Sequence, residues 1–563
     1  MVECAPPVNP HSATMVAMQV LSAAEMQICD RVTSERYGVP SLRLMRTAAA
    51  AVAGCAREMF PRARRVTVLC GCGNNGGDGL MAARMLAAGG LQVTTLLLGS
   101  IDKLTDDASE AWRELVNPVQ GLIHIVTTAE ELAHHHSALA TDLILDAIVG
   151  AGFKPPLRGL ALAALEWVSA SAAPILAVDL PSGWPADATA ATVDSPVFPA
   201  DAVVTFTAPK PAHLFGQLTR RWHQPIVVAP IGSPGEAIVS SLNIGWAGSA
   251  LALAQQPRPA AANKGNFGHV LVLGGSLGRS GAPSMAALAA LRTGAGLVTA
   301  AVPAPILPIV AAVAPELMTR PLTATEDGHI AADNARPKQM EALTAGITVL
   351  AIGPGTGQSA DTIKFVAGLL SATKMPAVID ADALNILARK PVLLTKLALA
   401  RTLVLTPHPG EMARLAGITT AEVQANRLAI ARDFAQRHGV TVVLKGWRTL
   451  IAHSDGRVVV NTTGNPGMAK GGSGDLLAGI VAAMLAQYPA QPARAVEAAV
   501  YLHGLAADLA VRKAHEHTLL ATDSLRELAS AFQVHMPGRN GYVWLQGLPP
   551  ESLPAAPPHE GKA

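Results

Sequence analysis

Aromatic and charged side chains are both scarce in this chain of 563 residues. Phe, Trp and Tyr make up 4% of the sequence and Asp, Glu, Lys and Arg 15%, with a formal net charge of +2. Proteins that bind single-stranded nucleic acid stack bases on aromatic rings and present a basic surface, so this composition argues against nucleic acid as a partner. Half of the residues are hydrophobic, which is enough to bury large cores and excludes a disordered chain.

Cysteine is rare as well. The five cysteines all lie within the first 72 residues, and their odd number and spacing match neither a disulfide framework nor a zinc site. We therefore expect a reduced, cytoplasmic protein. The start of the chain lacks the basic segment and apolar core of a secretion signal. One uncharged stretch, residues 297–315, contains four prolines, so it predicts a short strand and a short helix rather than a membrane span.

Short apolar runs rich in β-branched residues recur along the chain, separated by alanine-rich stretches of helical character. The runs are apolar on both faces, as are parallel strands buried under helices. They form two series, at 65–71, 91–99, 142–150, 174–183, 201–209 and 225–232, and then at 269–276, 296–302, 347–355, 376–385, 402–411 and 440–446. We predict two α/β domains, each a three-layer αβα sandwich. Their bounds are 18–240 and 241–535, with a loose leader at 1–17 and a proline-rich tail at 536–563.

The sequence NPGMAKGGSGDLLAGIV places a glycine-rich turn directly before an apolar helical run. Gly471, Gly472 and Gly474 allow a ligand to approach the backbone closely, and the first N–H groups of a helix attract anions. Asp475 stands among those N–H groups, where a carboxylate repels phosphate. It either caps the helix or performs chemistry, and the local pattern leaves both readings open.

The sequence GCGNNGGDG forms a second glycine-rich turn between a strand and a helix. It differs from the dinucleotide fingerprint because Asn74, Asn75 and Asp78 interrupt the glycines. The asparagines either shape the turn or offer oxygen ligands to a hard cation. Asp146 and Asp179 follow two further strands. Because ligands of open α/β sheets bind beyond the carboxyl ends of the strands, we expect the three aspartates to meet in one crevice.

Other polar residues are ambiguous. Asp380 and Asp382 follow a strand and either help to bind magnesium or cap the next helix. The histidines at 134–136 and 515–517 have no partners at metal-ligand spacing and are interpreted as surface residues. His408, between two prolines, is expected to face a ligand from a turn.

The order of these motifs resembles that of a known family. GCGNNGGDGL, DAIVGAG and AVDLPSG look like the epimerase domain of the bifunctional NAD(P)H-hydrate repair enzymes. GNFGHVLVLGGS, TPHPGEMARL and NTTGNPGMAKGGSGDLLAG look like their dehydratase domain. The resemblance covers residues 19–530 and implies a Rossmann-like first domain and a ribokinase-like second domain.

The resemblance implies repair of NADH and NADPH in which water has added to the nicotinamide ring. The first domain would interconvert the R and S hydrates, with K⁺ bound. The second would dehydrate the S hydrate with Mg²⁺ and ADP or ATP, and the chain would assemble into a homo-oligomer. Asp475 is the implied base that takes a proton from the hydrate's hydroxyl. Asp179, and after it Asp78, are the candidate acids for epimerisation.

The resemblance also implies the binding residues. Positions that match hydrate-binding residues are Asn74, Asn75, Gly76, Gly77, Asp78, Gly150, Ala151, Gly152, Phe153, Lys154, Pro155, Pro156 and Asp179 in the first domain, and Ala282, Gly355, His408 and Asp475 in the second. Positions that match nucleotide-binding residues are Lys445, Gly446, Trp447, Arg448, Thr449 and Gly474. Positions that match potassium ligands are Asn75, Asp146 and Ser182.

Two alternatives stay open at this point. A ribokinase-like kinase for a vitamin precursor, such as hydroxymethylpyrimidine or hydroxyethylthiazole, would share the GGSGD loop. A non-catalytic scaffold that senses nucleotides would be expected to have lost site residues, whereas Asn75, Asp146, Ser182 and Asp475 are all present. In each case we expect small-molecule ligands, and neither nucleic acid nor a membrane as a partner.

Overall fold

The computed structural model describes residues 18–117, 121–536 and 538–549. Its strands form an eight-stranded and a ten-stranded sheet. In chain order the strands are β1 (Arg65–Cys70), β2 (Gln92–Leu98), β3 (Leu122–Val126), β4 (Leu143–Ala147), β5 (Ile175–Val178), β6 (Ala202–Phe206), β7 (Ile226–Ala229), β8 (Ile244–Trp246), β9 (His269–Leu273), β10 (Leu297–Pro303), β11 (Met318–Leu322), β12 (Val349–Ile352), β13 (Ala377–Ile379), β14 (Leu403–Leu405), β15 (Thr441–Leu444), β16 (Leu450–Ala452), β17 (Val458–Val460) and β18 (Val543–Gln546).

Helices alternate with most of these strands. In chain order they are α1 (Ala23–Glu35), α2 (Ser41–Met59), α3 (Asn74–Ala88), α4 (Asp106–Val116), α5 (Ala129–His134), α6 (Gly159–Val168), α7 (Pro211–Phe215), α8 (Leu251–Ala254), α9 (Gly281–Thr293), α10 (Leu307–Ala311), α11 (Pro337–Thr344), α12 (Ala360–Ala372), α13 (Ala381–Ala388), α14 (Pro391–Ala400), α15 (Pro409–Ala416), α16 (Thr420–Ala425), α17 (Arg427–His438), α18 (Ser473–Gln487), α19 (Pro492–Val511), α20 (Ala521–Arg526) and α21 (Leu528–Gln533). Throughout the described residues, no helix is both long enough and apolar enough to cross a membrane.

The first sheet has the strand order β18-β7-β6-β5-β4-β1-β2-β3. Every pair is parallel except β18 with β7. Val66 and Val68 share a core with α2 and α3, whereas Leu69 packs with Trp167 of α6 in another core. Because neighbouring residues of a strand point to opposite faces, the sheet lies between two helical layers. Its strand order reverses between β1 and β4, which is where such folds bind ligands.

The second sheet has the strand order β11-β10-β9-β12-β13-β14-β15-β16-β17-β8. Its strands are parallel from β11 to β15, and β16 is antiparallel to both of its neighbours. The order reverses between β9 and β12. Both sheets are therefore mostly parallel and helix-covered, and the predicted α/β fold class is confirmed.

Each end of the described chain pairs with the sheet of the other domain. Gln19 forms an antiparallel bridge to Gly245 in β8 of the second sheet. At the opposite end β18 adds an edge strand to the first sheet, and its Trp544 is buried in the first core. The prediction of a tail from residue 536 onward is therefore wrong for Val543–Gln546. The predicted leader, 1–17, and residues 550–563 lie outside the described residues.

Candidate active sites

A cavity of about 710 Å³ opens at the point where the strand order of the first sheet reverses. Asn74, Asn75 and Asp78 line it from the start of α3, and Asp179 lines it from the end of β5. The loop after β4 contributes residues 150–153. Three segments that are distant in sequence therefore meet beyond the carboxyl ends of parallel strands. Of the three aspartates expected to share one crevice, Asp78 and Asp179 line this cavity and Asp146 does not.

Several residues expected to bind the hydrate do not line this cavity. A Cβ at Gly76 would lie 1.8 Å from the carbonyl oxygen of Gly71, and one at Gly77 would lie 2.6 Å from Cε of Met45. These two glycines therefore allow α3 to pack closely against its neighbours. Three further residues are not among those on the cavity wall: Lys154, Pro155 and Pro156.

Asp179 is held as an anion. Its Oδ1 accepts hydrogen bonds from Nζ of Lys210 at 2.7 Å and from the Thr205 hydroxyl at 2.8 Å, while Oδ2 accepts from the Ala151 N–H at 2.9 Å. Burial alone opposes ionisation, but the Lys210 ammonium, the nearby His213 and these hydrogen bonds lower the pKa of Asp179 to about 2. A carboxylate in this state stabilises positive charge and is a poor proton donor.

Asp78 and Asp30 are the carboxyl groups of the cavity that are suited to carry protons. Burial, and then the charges of Asp179 and Asp30, raise the pKa of Asp78 well above its ordinary value. Within the described chain Asp78 makes no side-chain hydrogen bond. Burial raises the pKa of Asp30 to about 6, and its Oδ1 is buried without a hydrogen-bond partner. The cavity thus combines one fixed anion with two carboxyl groups whose pKa values are raised.

Asp146 and Ser182 form a buried oxygen cluster beside this cavity. Asp146 accepts hydrogen bonds from the N–H of Ser182 at 2.8 Å and from its hydroxyl at 2.5 Å. Burial raises the pKa of Asp146 to about 6. Among the described residues Asp146 has no ion-pair partner, and the Ser182 hydroxyl also contacts the carbonyl oxygen of Val149. A buried carboxylate beside hydroxyl and carbonyl oxygens is a donor set suited to a hard cation.

The Asn75 side chain lies against the same loop, next to Gly150. A Cβ at Gly150 would lie 3.0 Å from Oδ1 of Asn75 and 3.1 Å from Oδ2 of Asp179. Gly150 follows Val149, whose N–H donates to the Ser182 hydroxyl at 3.1 Å. The three predicted potassium ligands therefore all lie against one short loop, and a side chain at position 150 would make tight contacts with the Asn75 amide and the Asp179 carboxylate.

The second cavity measures about 750 Å³ and lies between β15 and the start of α18. All six predicted nucleotide-binding positions line it, from Lys445 to Thr449 and at Gly474. His408 lines it as well, and its Nδ1 accepts a hydrogen bond from the Gly410 N–H at the start of α15. The turn that precedes α18 therefore opens onto a pocket large enough for a nucleotide.

Asp475 does not cap the helix in which it lies. It is the third residue of α18, whose cap, Gly472, has a φ of 97° that favours glycine. The Asp475 carboxylate makes no hydrogen bond to any residue that the structure describes. Burial and the charge of Asp380 raise its pKa to about 6, against the opposing effect of Lys445. A carboxylate without partners and with a pKa near 6 is suited to act as a base.

Asp380 links the nucleotide loop to the other half of the site. Its Oδ1 accepts from Nζ of Lys445 at 2.9 Å and from the Thr406 hydroxyl at 2.8 Å, and it does not cap α13. Asp382 instead accepts from the Gly357 N–H and from Gln358, each at 2.9 Å. Of the two aspartates, Asp380 is thus the one that faces the site.

Ala282 and Gly355 come together where the strand order of the second sheet reverses. A Cβ at Gly355 would lie 3.2 Å from Cβ of Ala282, and one at Gly353 would lie 1.8 Å from the carbonyl oxygen of Asp380. The loop that contains both glycines therefore joins Ala282 to the cluster around Asp380. Neither Ala282 nor Gly355 lines the nucleotide cavity, whereas His408, a third expected hydrate-binding position, does.

Sequence reasoning missed several residues of both sites. Lys210 follows β6 as Asp179 follows β5, so the rule on strand ends could have found it. Asp30 lies within α1, where no motif marks it. His503 of α19 lines the nucleotide cavity with Nε2 buried and without a hydrogen-bond partner, and it too has no local signature.

Comparison with known proteins gives matches along most of the chain. Residues 41–212 match a family model described as the YjeF-related protein N-terminus, and residues 270–530 match one described as NAD(P)H-hydrate dehydratase. A bifunctional NAD(P)H-hydrate repair enzyme of Moorella thermoacetica is 40% identical over 521 residues, which are 90% of this chain and 95% of that protein. The enzyme of that name from Escherichia coli is 35% identical, over 88% of this chain and 90% of its own.

Among solved structures, an ADP/ATP-dependent NAD(P)H-hydrate dehydratase from Bacillus subtilis, co-crystallised with ATP and Mg²⁺, is 32% identical. It matches 52% of this chain and 99% of its own length, with a TM-score of 0.44.

Proposed function

This chain belongs to the family of bifunctional NAD(P)H-hydrate repair enzymes, and on that premise we propose that its two cavities catalyse the two reactions of the repair. The first cavity epimerises the R and S hydrates of NADH and NADPH. The second dehydrates the S hydrate with ADP or ATP. The observation that carries the proposal is the Asp475 carboxylate, which has no hydrogen-bond partner in the described residues and directly follows Gly474, a residue on the wall of the nucleotide-sized cavity.

Epimerisation requires the hydroxyl to leave the carbon next to the ring nitrogen and water to return on either face. We propose Asp78 as the acid, in place of the first sequence candidate, Asp179, because Asp179 is ion-paired with Lys210 and ionised. Asp78 gives its proton to the hydroxyl, the C–O bond breaks, and the ring nitrogen's lone pair forms a C=N bond. The Asp179 anion stabilises the resulting cation. Water then adds to the same carbon and returns a proton to the carboxylates of the cavity.

The proposed potassium site of the first domain consists of Asn75, Asp146 and Ser182. It is supported by the buried Asp146 carboxylate, which has no ion-pair partner in the described chain and lies among hydroxyl and carbonyl oxygens. A potassium ion bound there would balance the charge of Asp146 and fix the loop that carries Gly150. A cluster of three or more His, Cys, Asp or Glu side chains suited to a metal is not present in the described residues.

In the dehydratase reaction Asp475 takes the proton from the hydroxyl of the S hydrate. The oxygen then attacks the terminal phosphoryl group, so that a new O–P bond forms and the P–O bond to the nucleotide breaks. The N–H groups of the glycine turn and the Lys445 ammonium stabilise the charge on the phosphoryl group. The ring nitrogen's lone pair expels the phosphate, and loss of a proton from the neighbouring carbon restores the dihydropyridine.

Mg²⁺ is the expected companion of the nucleotide. Asp380 fits this role because its Oδ2 accepts no hydrogen bond from the described residues, whereas both oxygens of Asp382 are engaged. The ion would neutralise the phosphates of the nucleotide.

The decisive experiment starts from a mixture of R and S NADH hydrates with K⁺, Mg²⁺ and either ADP or ATP. The near-ultraviolet absorbance of the dihydronicotinamide follows recovery. The wild type is expected to convert the whole mixture, Asp475→Asn none of it, and Asp78→Asn only the S fraction at early times. Asp455→Asn, which changes an exposed carboxylate in neither cavity, serves as the control. No recovery by the wild type with either nucleotide would refute the proposal and make a vitamin-precursor kinase the next candidate.

We further propose that the protein is a cytoplasmic homo-oligomer. Apolar side chains on the outside support self-association, since Val392 and Leu399 of α14 are 69% and 86% exposed. Four cysteines in the described residues are free thiols, as expected in a reducing compartment. Light scattering on the purified protein is expected to give a mass of two or more times the 57.9 kDa of one chain. The mass of a single chain would contradict the proposal.

A further inference from the structure

The proposed nucleotide loop, Lys445–Thr449, is bonded to the first domain at two adjacent residues. Nε1 of Trp447 donates to the carbonyl oxygen of Phe215, the last residue of α7, at 3.0 Å. The Arg448 guanidinium donates to Oε1 of Gln546 in β18. The side chains of two expected nucleotide-binding residues are thus bonded to the other domain.

Gln546 is itself firmly held in the first domain. Its Nε2 donates to the Thr219 hydroxyl at 2.9 Å and to the carbonyl oxygen of Gln224 at 2.7 Å. It is 5% exposed, and β18 is paired with β7 of the first sheet. Arg448 therefore donates to an acceptor whose position is set by the first domain.

The loop needs such support because its backbone is strained. Arg448 has a φ of 51°, in the left-handed region that only glycine occupies without cost. Such a residue keeps its conformation only when its surroundings fix it. The second domain supplies one support, since Arg427 donates to the carbonyl oxygens of Trp447 and Leu444. It supplies another in the carbonyl oxygen of Thr462, to which Arg448 donates at 2.8 Å, and the first domain adds the two contacts described above.

Trp447 separates two cavities. It lines the nucleotide cavity and also a cavity of about 720 Å³ whose walls come from both domains. The Arg448 guanidinium lies over its ring, with Cζ 4.5 Å from the ring centre, so the hydrogen bond to Phe215 fixes a ring on which Arg448 also rests. Neither Phe215 nor Gln546 lines the nucleotide cavity, so both act on it only through the loop.

We propose that the first domain positions the nucleotide loop of the second, through the carbonyl group of Phe215 and the side chain of Gln546. Both are positioning residues for dehydration, although neither lies in the domain that performs it. The inference rests on the proposed nucleotide site. It adds that ADP or ATP binds to a loop whose shape depends on contact between the domains.

The test compares two Trp→Phe variants that each remove one hydrogen bond between the domains. Trp447→Phe removes the bond on the loop. Trp222→Phe removes the bond from Nε1 of Trp222 to Glu516, 2.6 Å long, and does not alter the nucleotide cavity. A third variant, Gln546→Met, removes the acceptor of Arg448 at nearly constant volume. The KM for the nucleotide and kcat are measured for dehydration of S hydrate, and the epimerase rate is measured in the same samples.

Loss of one hydrogen bond is expected to raise the KM for the nucleotide about threefold to tenfold in Trp447→Phe and Gln546→Met. We expect kcat and the epimerase rate to stay within about twofold of the wild type, and Trp222→Phe to match the wild type throughout. This split between KM and kcat would not result from a general loss of folded protein.

An unchanged KM in Gln546→Met, or an equal rise in Trp222→Phe, would overturn the inference. If Gln546→Met loses both activities together, it has unfolded, and Thr219→Val, which removes an acceptor that holds Gln546 and lies outside the nucleotide cavity, then decides by the same criteria. A wild type that shows no nucleotide-dependent recovery contradicts the proposed function instead. In that case calorimetric binding of ADP and of ATP to the same variants still tests whether the loop depends on the first domain.

Discussion

The pH dependence of dehydration tests the role of Asp475 most directly. A general base is active only when deprotonated, so the rate is lost as the pH falls through the pKa of the group. With that pKa at about 6, about nine-tenths of the groups are ionised at pH 7 and about one-tenth at pH 5. The kcat/KM for dehydration, which reports the ligand-free enzyme, is therefore expected to fall about tenfold between these two values, whereas an ordinary aspartate would lose less than about a tenth of it.

The same reasoning predicts how a neighbouring charge shifts the acidic limb of the pH–rate profile, where the rate falls as Asp475 is protonated. The Asp380 carboxylate helps to raise the pKa of Asp475, and Lys445 lowers it. Asp380→Asn removes the repulsion and leaves the Lys445 ammonium without its nearest partner, and both changes favour the ionised form of Asp475. The limb should move from about 6 toward the ordinary aspartate value of 3.8, even if the maximal rate falls.

The assay measures initial rates on pure S hydrate at pH values from 5 to 8, and subtracts the change without enzyme at each pH. Asp455→Asn, in which neither cavity is altered, provides the reference profile. A rate that is constant between pH 5 and pH 7, or a limb that does not move in Asp380→Asn, would refute the assignment of Asp475 as the base.

Three further predictions concern the first domain. Lys210→Met leaves the buried Asp179 carboxylate unpaired and should lower the free energy of unfolding in urea by about 3 kcal/mol at pH 7. Because the pair lowers the pKa of Asp179 to about 2, this difference from the wild type should shrink as the pH falls below 3.8. An equal loss at pH 7 and pH 3 would contradict it. Gly150→Ala places a methyl group 3.0 Å from Oδ1 of Asn75; it should reduce the epimerase rate at least about tenfold without affecting dehydration of pure S hydrate, and an epimerase of normal rate would argue against this loop. Asp146→Asn should abolish stimulation of the epimerase by KCl relative to choline chloride; retained stimulation would move the potassium site elsewhere.

The sequence predicts the buried strands well and the exposed or distant ones poorly. The run at 65–71 predicts β1, which spans Arg65–Cys70, because a strand covered by helices on both faces is apolar throughout. This criterion does not predict β3, because its Leu122 is 64% exposed and His124 interrupts the apolar run. β18 is not predicted either, because its partner β7 lies about 300 residues earlier and no local pattern encodes that pairing.

Prediction of the sites follows a similar division. Asp78, Asp146 and Asp179 are predictable because each lies near or beyond the carboxyl end of a strand, and parallel strands end at one edge of a sheet. The state of each group is not predictable, since the ion pair between Asp179 and Lys210 depends on the positions of two separate strands. Asp30 reaches the cavity only because α1 packs across it. The motifs therefore predict where the site lies, and the structure adds the burial and the ion pair on which the proposed choice of Asp78 as the acid rests.

The return of β18 to the first sheet has a consequence for the synthesis of the protein. The 314 positions from Ala229 at the end of β7 to Val543 take roughly 16 to 60 s to translate at the usual rates. During that time the edge of β7 has no partner strand, and Trp544 is missing from the first core. An open edge of this kind pairs readily with other chains. A gene cut at residue 240 would make this condition permanent, so the first domain produced alone is expected to aggregate unless the β18 segment is supplied with it.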